Sequence, residues 1–201
     1  MTDVADRELT ETKGERTKRR ILEVAVERFG ERGFRATSVS EIARAVGLTQ
    51  AACYAYFDGK DALFRAAVDH DANALIDDIN AKVRDVPVAE LIPTVIILAV
   101  MGLAEHPLAR RVLGGLEPDE IPRLVELPAL ARFGELVAER LAYAQERGEV
   151  RQDLDATVIG AGLESLIMGL LFTMVQTRGA AAPRHQVGVV EAFDLMIRPP
   201  R

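Results

Sequence analysis

The chain has 201 residues, 49% of them hydrophobic, with a formal net charge of −6, a single cysteine and no tryptophan. This length and apolar content support one or two small domains with a sizeable core and exclude global disorder. The lone Cys53 excludes an intramolecular disulfide and fits a reducing cytosol. An acidic total argues against nucleic-acid binding, but the charge is unevenly placed. Residues 63–201 carry 14 basic and 20 acidic side chains, whereas residues 1–62 carry 11 of each.

Residues 1–15 are polar and charged, which predicts a disordered arm without a signal peptide. Lys13, Arg16, Lys18, Arg19 and Arg20 form a basic cluster at its end. Such a cluster is either a solvated face or a local phosphate patch, because affinity for DNA depends on which charges face it. Arg16–Arg32 then predicts a helix with Ile21, Leu22, Ala25, Val26 and Phe29 as its apolar stripe and Gly33 as its stop.

Thr37–Lys60 carries the most information. Ser38 followed by Glu41 is a capping box, in which each side chain satisfies an amide left open at a helix start. The helix it opens, Val39–Val46, places Val39, Ile42, Ala43 and Val46 on one face. Gly47 supplies the left-handed turn. Thr49 caps a second short helix, expected over Gln50–Phe57, and Asp58 with Asp61 opens a third. Two short helices around a tight glycine turn are the layout of a helix-turn-helix, which offers its second helix to the DNA major groove.

The remainder is helical in pattern. Lys60 to about Arg84 reads as one long helix broken at Val86-Pro87. Val88–His106 is strongly apolar, and Pro107 opens a short helix ending near Gly114-Gly115. Glu117–Glu126 reads as irregular or a short helical piece. Pro128–Arg147 is amphipathic, Asp153 or Asp155 caps an apolar helix to about Arg178, and His185–Ile197 is the last helix. Ala156–Val175 has the length of a membrane span. Glu164, Thr157, Ser165 and three glycines within it fit a buried interfacial helix better. The fold class is therefore all-α: a three-helix head at 16–62 and a larger bundle at 63–201.

Arg16–Phe64, with RILEVAVERFGERGF, TSVSEIARAVGLT and CYAYFDGKDALF, resembles the DNA-binding domain of the TetR (tetracycline repressor-like) transcriptional regulators. The bundle is similar to that family only in helix order and length. The resemblance implies a cytoplasmic homodimeric repressor that binds a palindromic operator and is released by a small-molecule effector, with no cofactor. It assigns Thr49, Gln50, Ala51 and Tyr54 to base edges or nearby phosphates, and Thr37, Tyr56 and Lys60 to the DNA backbone. It assigns Ala25, Phe29, Val39, Ile42, Ala43, Val46, Leu48, Cys53 and Phe57 to the core of the head. Two positions depart from the usual family pattern: Ala51 stands where glycine is common, and Cys53 where an aliphatic is common. Gln50 is the expected direct reader, because a Gln amide can pair bidentately with adenine.

Other chemistries find little support. His70, His106 and His185 are scattered, without metal-ligand spacing, and no nucleophile–base pair or phosphate loop suggests an enzyme. Glu105-His106 with Arg110-Arg111 is either a polar corner of a ligand site or a solvated junction. Dimer contacts are expected from Ala156–Arg178 and His185–Ile197, with Leu163, Leu170 and Phe193 as test positions. The expected effector pocket, chosen by apolar position, comprises Leu98, Met101, Phe133, Leu136, Met168 and Phe172. Glu164 is open between a ligand contact, a dimer contact and a solvated residue. The competing functions are a regulator that answers to a protein partner or to no ligand, and an all-α small-molecule carrier or enzyme in which the head merely packs; no membrane partner is expected.

Overall fold

The computed structural model describes residues 12–124, 126–178 and 182–199. Among these residues the structure holds ten α-helices, one short 3-10 turn and no strand, the all-α class expected. The helices are α1 Lys13–Ala36, α2 Val39–Ala45, α3 Gln50–Tyr54, α4 Gly59–Val83 and α5 Val88–Gly102, then α6 Pro107–Leu113, α7 Ile121–Leu124, α8 Pro128–Glu146, α9 Ala156–Gln176 and α10 Ala182–Ile197. The chain divides into two compact units between His70 and Asp71, later than the expected boundary after residue 62. The shift has a physical cause: Leu63, Phe64, Ala67 and Val68 are all buried, and Phe64 packs edge-on to Phe29 with ring centroids 4.9 Å apart. The first turns of α4 therefore belong to the core of the head.

The expected arm at 1–15 is corrected at its end, and residues 1–11 lie outside the described residues. Thr12 caps α1, accepting from the amide of Glu15 at 3.2 Å while the Glu15 carboxylate accepts from the amide of Thr12 at 2.8 Å. This capping box places residues 13–15 in the helix. At the other end, Gly33 breaks the helical path (φ 80°, ψ 173°), and the chain resumes helical geometry to Ala36.

In the second unit, α6 and α8 share a feature that their own sequences do not explain. Each starts with proline, Pro107 or Pro128, and neither has a side-chain cap from its own N-cap residue. Helix α4 supplies the missing acceptors. Asp71, only 5% exposed, accepts through Oδ2 from the amides of Leu108 at 2.9 Å and Ala109 at 2.8 Å. Asn73 Oδ1 accepts from the amide of Ala129 at 3.0 Å. Open amides at a helix start favour a negative acceptor, so Asp71 joins α4 to α6 with charge-assisted bonds.

The second Asp71 oxygen lies 2.8 Å from Nδ1 of His106. That hydrogen bond raises the His106 pKa above its ordinary value, against the opposing effect of burial. Of the Glu105-His106 and Arg110-Arg111 cluster, His106 is bound to Asp71, and Arg111 is bonded through Nε to Glu117 at 2.8 Å. Asp71 was legible as an acid in register with the buried Phe64, Ala67, Val68, Ala72 and Leu75.

Helix α8 and helix α9 approach closely at two glycines. A Cβ placed on Gly160 would lie 2.5 Å from the carbonyl oxygen of Gly134, so only glycine fits there. The inner face of α9 buries Leu163, Ile167, Leu170, Leu171 and Met174. Leu163, Leu170 and Phe193 are therefore core residues of one chain, and their expected role at a dimer surface is withdrawn. The helix is long and apolar enough to cross a membrane.

Two substitutions test the α4 caps. Asp71→Ala leaves two buried amides unpaired and should cost about 2–4 kcal/mol in urea unfolding, with Asp71→Asn losing less. His106 stabilises through its protonated form, because its folded-state pKa is the higher one. Its contribution is complete below the ordinary histidine value of about 6.5 and disappears as pH rises through the folded value. The stability difference between wild type and His106→Gln should shrink accordingly from about pH 6.5 upward. A difference that stays constant across that range would show the pair to be uncoupled from protonation.

Candidate nucleic-acid interface and effector crevice

The head is organised by three aromatic rings. Phe29, Phe34 and Phe64 meet with centroid separations of 4.9–6.3 Å, clamping the end of α1 to α4. Against this clamp, Thr37 is only 2% exposed. Its hydroxyl lies 2.9 Å from the Gly33 carbonyl and 3.1 Å from that of Arg28, to which it donates. The Thr37 side chain therefore fixes the exit from α1, and its expected contact with the DNA backbone is corrected to a structural one.

Helix α2 starts as its sequence predicts. The Ser38 hydroxyl accepts from the amide of Glu41 at 3.2 Å, and the Glu41 carboxylate accepts from that of Ser38 at 3.3 Å. After Ala45 the chain reverses at Gly47, whose φ of 77° suits glycine. The amide of Leu48 then donates to the Ala43 carbonyl at 2.8 Å. Val46 and Leu48 are half-buried, whereas Ala25, Phe29, Val39, Ile42, Ala43, Cys53 and Phe57 are buried.

Thr49 caps α3, its hydroxyl accepting from the amide of Ala52 at 3.1 Å. The helix is shorter than expected, ending at Tyr54. The amides of Ala55 and Tyr56 donate to carbonyls three residues back, which tightens the last turn. Cys53 faces the core, and burial raises its thiol pKa, so it behaves as a small apolar residue.

The outward side of α3 carries Gln50, Ala51 and Tyr54, the last 43% exposed. Gln50 Nε2 donates to the Tyr54 hydroxyl at 3.0 Å. A Gln amide has two N–H donors and a carbonyl, so this bond orders Gln50 while one donor and the oxygen stay available. Tyr56 and Lys60 are half-buried. The Lys60 ammonium sits 4.5 Å from the centre of the Phe34 ring, an attraction of the cation for the ring face. Lys13, Arg16, Lys18, Arg19 and Arg20 are all exposed. Arg44, exposed at the end of α2, adds a further cation near the turn that the sequence reading passed over.

Residues 21–67 match the family described as "Bacterial regulatory proteins, tetR family". The head is the TetR family's DNA-binding domain. The chain is 24% identical over 197 residues to the HTH-type transcriptional regulator SrpR of Pseudomonas putida, covering 96% of this chain and 91% of that one. It is 28% identical over 152 residues to the HTH-type transcriptional repressor KstR2 of Rhodococcus jostii, covering 75% and 66%. Among solved structures, the fatty acid degradation regulator FadR of Bacillus halodurans superposes with a TM-score of 0.66 at 20% identity, covering 93% of this chain and 97% of that one. This TetR-family protein is a transcriptional regulator with a DNA-binding helix-turn-helix, and not an enzyme.

Its second unit encloses an apolar crevice of about 60 Å³. The walls include Leu75 and Ile79 of α4, Val95 and Ala99 of α5, Leu124 of α7, Leu130 and Phe133 of α8, and Ile167, Met168 and Leu171 of α9. Glu164 is the one ionisable residue among them. Phe133 and Met168 were expected at the pocket. Leu98, Met101, Leu136 and Phe172 do not line the crevice: Met101 is 67% exposed, and the other three are half-buried elsewhere on their helices. Helix α5 is apolar on nearly every side, so periodicity does not single out Val95 and Ala99 as its inner face.

The Gln50–Tyr54 pair generates the test of the recognition face. Gln50→Ala should weaken sequence-specific DNA binding by about 1–3 kcal/mol and leave binding to random duplex unchanged. Tyr54→Phe should have a smaller effect of the same kind. Both can be read by fluorescence anisotropy with specific and random duplexes, and an equal loss on both would remove Gln50 from base readout.

Proposed function

We propose that this TetR-family protein is a cytoplasmic repressor that binds a palindromic operator as a homodimer and lets go when a small lipophilic molecule enters the second unit. The observation that carries this reading is the pairing of an exposed recognition helix in one unit with an apolar crevice in the other, both containing parts of the continuous helix α4. Thr49, Gln50, Ala51 and Tyr54 meet base edges or adjoining phosphates, and Tyr56 and Lys60 the DNA backbone. To reach phosphate, the Lys60 ammonium leaves the Phe34 ring, an exchange costing about 0.5–2 kcal/mol at a half-buried site.

Dimerisation draws on the outer sides of α9 and α10. Val158, Leu166, Val187 and Leu195 are exposed there, Leu166 by 50% and Leu195 by 66%. A Cβ on Gly162, Gly169 or Gly188 would meet open space, so these surfaces can receive close-packed neighbours. Joined two-fold, two heads bind half-sites about 34–36 Å apart along the duplex. Effector binding then acts by favouring one arrangement of the second unit over the other, with a coupling of about 1–3 kcal/mol.

The crevice volume favours a second reading. About 60 Å³ is well below the ~300 Å³ at the lower end of typical ligand pockets. A regulator that answers to a protein partner, or to no ligand, would keep such a crevice closed. Titration with candidate effectors against preformed protein–DNA complex separates the two.

Two measurements test the proposal. Binding to duplex DNA upstream of its own gene should be sequence-specific and should weaken steeply with salt, as phosphate contacts demand; a salt-independent signal would point to a carrier. Leu166→Glu combined with Leu195→Glu should yield monomers in analytical ultracentrifugation and cut operator affinity at least tenfold, roughly. A double variant that remains dimeric would rule out these surfaces.

A further inference from the structure

Glu164 is a carboxylate at the edge of an otherwise apolar crevice. It projects from α9 one turn beyond Gly160, and its Oε2 lies 3.4 Å from the place a Cβ on Gly134 would occupy. The carboxylate thus lies in contact distance of the α8 backbone at Gly134. The side chain also lines a groove between α8 and α9 that includes Glu135 and Glu139, with a volume of about 390 Å³. Among the described residues, no protein hydrogen bond or cation acts on Glu164. Burial alone perturbs it, raising its pKa above the ordinary carboxylate value.

Glu164 is half-buried, its stem on the crevice and its carboxylate beside Gly134 in the groove, and a partly desolvated carboxylate without a partner gains from a cation or a donor. We propose that the crevice, opening beyond its resting volume of about 60 Å³, takes a lipophilic monocation of the alkylammonium type, its hydrocarbon chain between α4, α5, α8 and α9 and its ammonium bonded, on the groove side, to the carboxylate of Glu164. The proposal rests on the effector reading above and names the chemical class of its ligand. Charge complementarity selects the occupant. The ammonium gives Glu164 the charge-assisted bond that it lacks, and Glu135 and Glu139 add negative potential on the groove side. An anionic lipid would set like charges together, and a neutral alcohol offers a single weaker donor. Met168 on the crevice wall is an unbranched side chain that can rearrange as the chain enters.

Isothermal titration of the full-length protein with octylammonium, 1-octanol and octanoate, each below micelle formation at about pH 7, tests this assignment. Octylammonium should bind roughly tenfold more tightly than 1-octanol, and octanoate most weakly. Glu164→Gln, near-isosteric and free of the carboxylate charge, should lower octylammonium affinity roughly tenfold and leave 1-octanol within about twofold. Glu164→Asp should retain the preference for the cation. The assignment is overturned if 1-octanol or octanoate matches octylammonium, if Glu164→Gln leaves the cation's affinity unchanged, or if none of the three binds. Binding at Glu164 without release of operator DNA would support the site and remove its effector role. Release by uncharged compounds, equal in wild type and Glu164→Gln, would overturn the cation site and leave the repressor reading standing.

Discussion

The second unit depends on the buried carboxylate of Asp71. It satisfies the open amides of α6, binds His106 and fixes α4 against both. Proline at the start of a helix sets the backbone angle but brings no acceptor, so α6 and α8 each need one from outside. Asn73, two residues along α4, plays the corresponding part for α8. One helix thereby sets where two others begin, and the crevice is the space left among them and α9. The arrangement is more demanding than apolar packing. A hydrocarbon contact tolerates sliding, whereas two amides on one carboxylate oxygen allow a single register.

In the head, polar groups likewise do positional work. Thr37 closes onto the carbonyls around the Gly33 break, Ser38 and Thr49 start the next helices, and the three-phenylalanine cluster holds their base. What remains outward on α3 is a small set: Gln50, Ala51 and Tyr54. The hydrogen bond between Gln50 and Tyr54 reduces the freedom that Gln50 must lose when it meets a base edge, a form of preorganisation.

The head was legible from sequence because its signals are local. Ser38 with Glu41, the glycine turn and the Thr49 cap each act within four residues, and each appears as read. Thr37 misled because a threonine before a helix looks the same whether its hydroxyl faces phosphate or folds back on a carbonyl nine residues earlier. The bundle was legible as a series of helices and much less so as a site. Helices α5 and α9 are apolar nearly all round, and periodicity cannot tell a crevice wall from a core contact or an outer face. Leu163, Leu170 and Phe193 illustrate this: they are among the most apolar positions of their helices, and the single chain already buries them. Asp71 was visible as an acid on an apolar stripe, but its partners lie 35–38 residues away.

The contact between Gly134 and Gly160 has a mechanical meaning. Where side chains separate two helices, they can change rotamer and let the helices move apart or together. At the two glycines backbone meets backbone, with no layer to compress. A guest that widens the crevice beside Ile167 and Leu171 must swing one helix over that contact, as a lever turns on its fulcrum. A displacement on the crevice side is then matched by an opposite one past the fulcrum, toward the start of α9. On the proposed reading, the pair of glycines would convert local swelling into a tilt of a whole helix, and that helix carries one of the faces proposed for a second subunit.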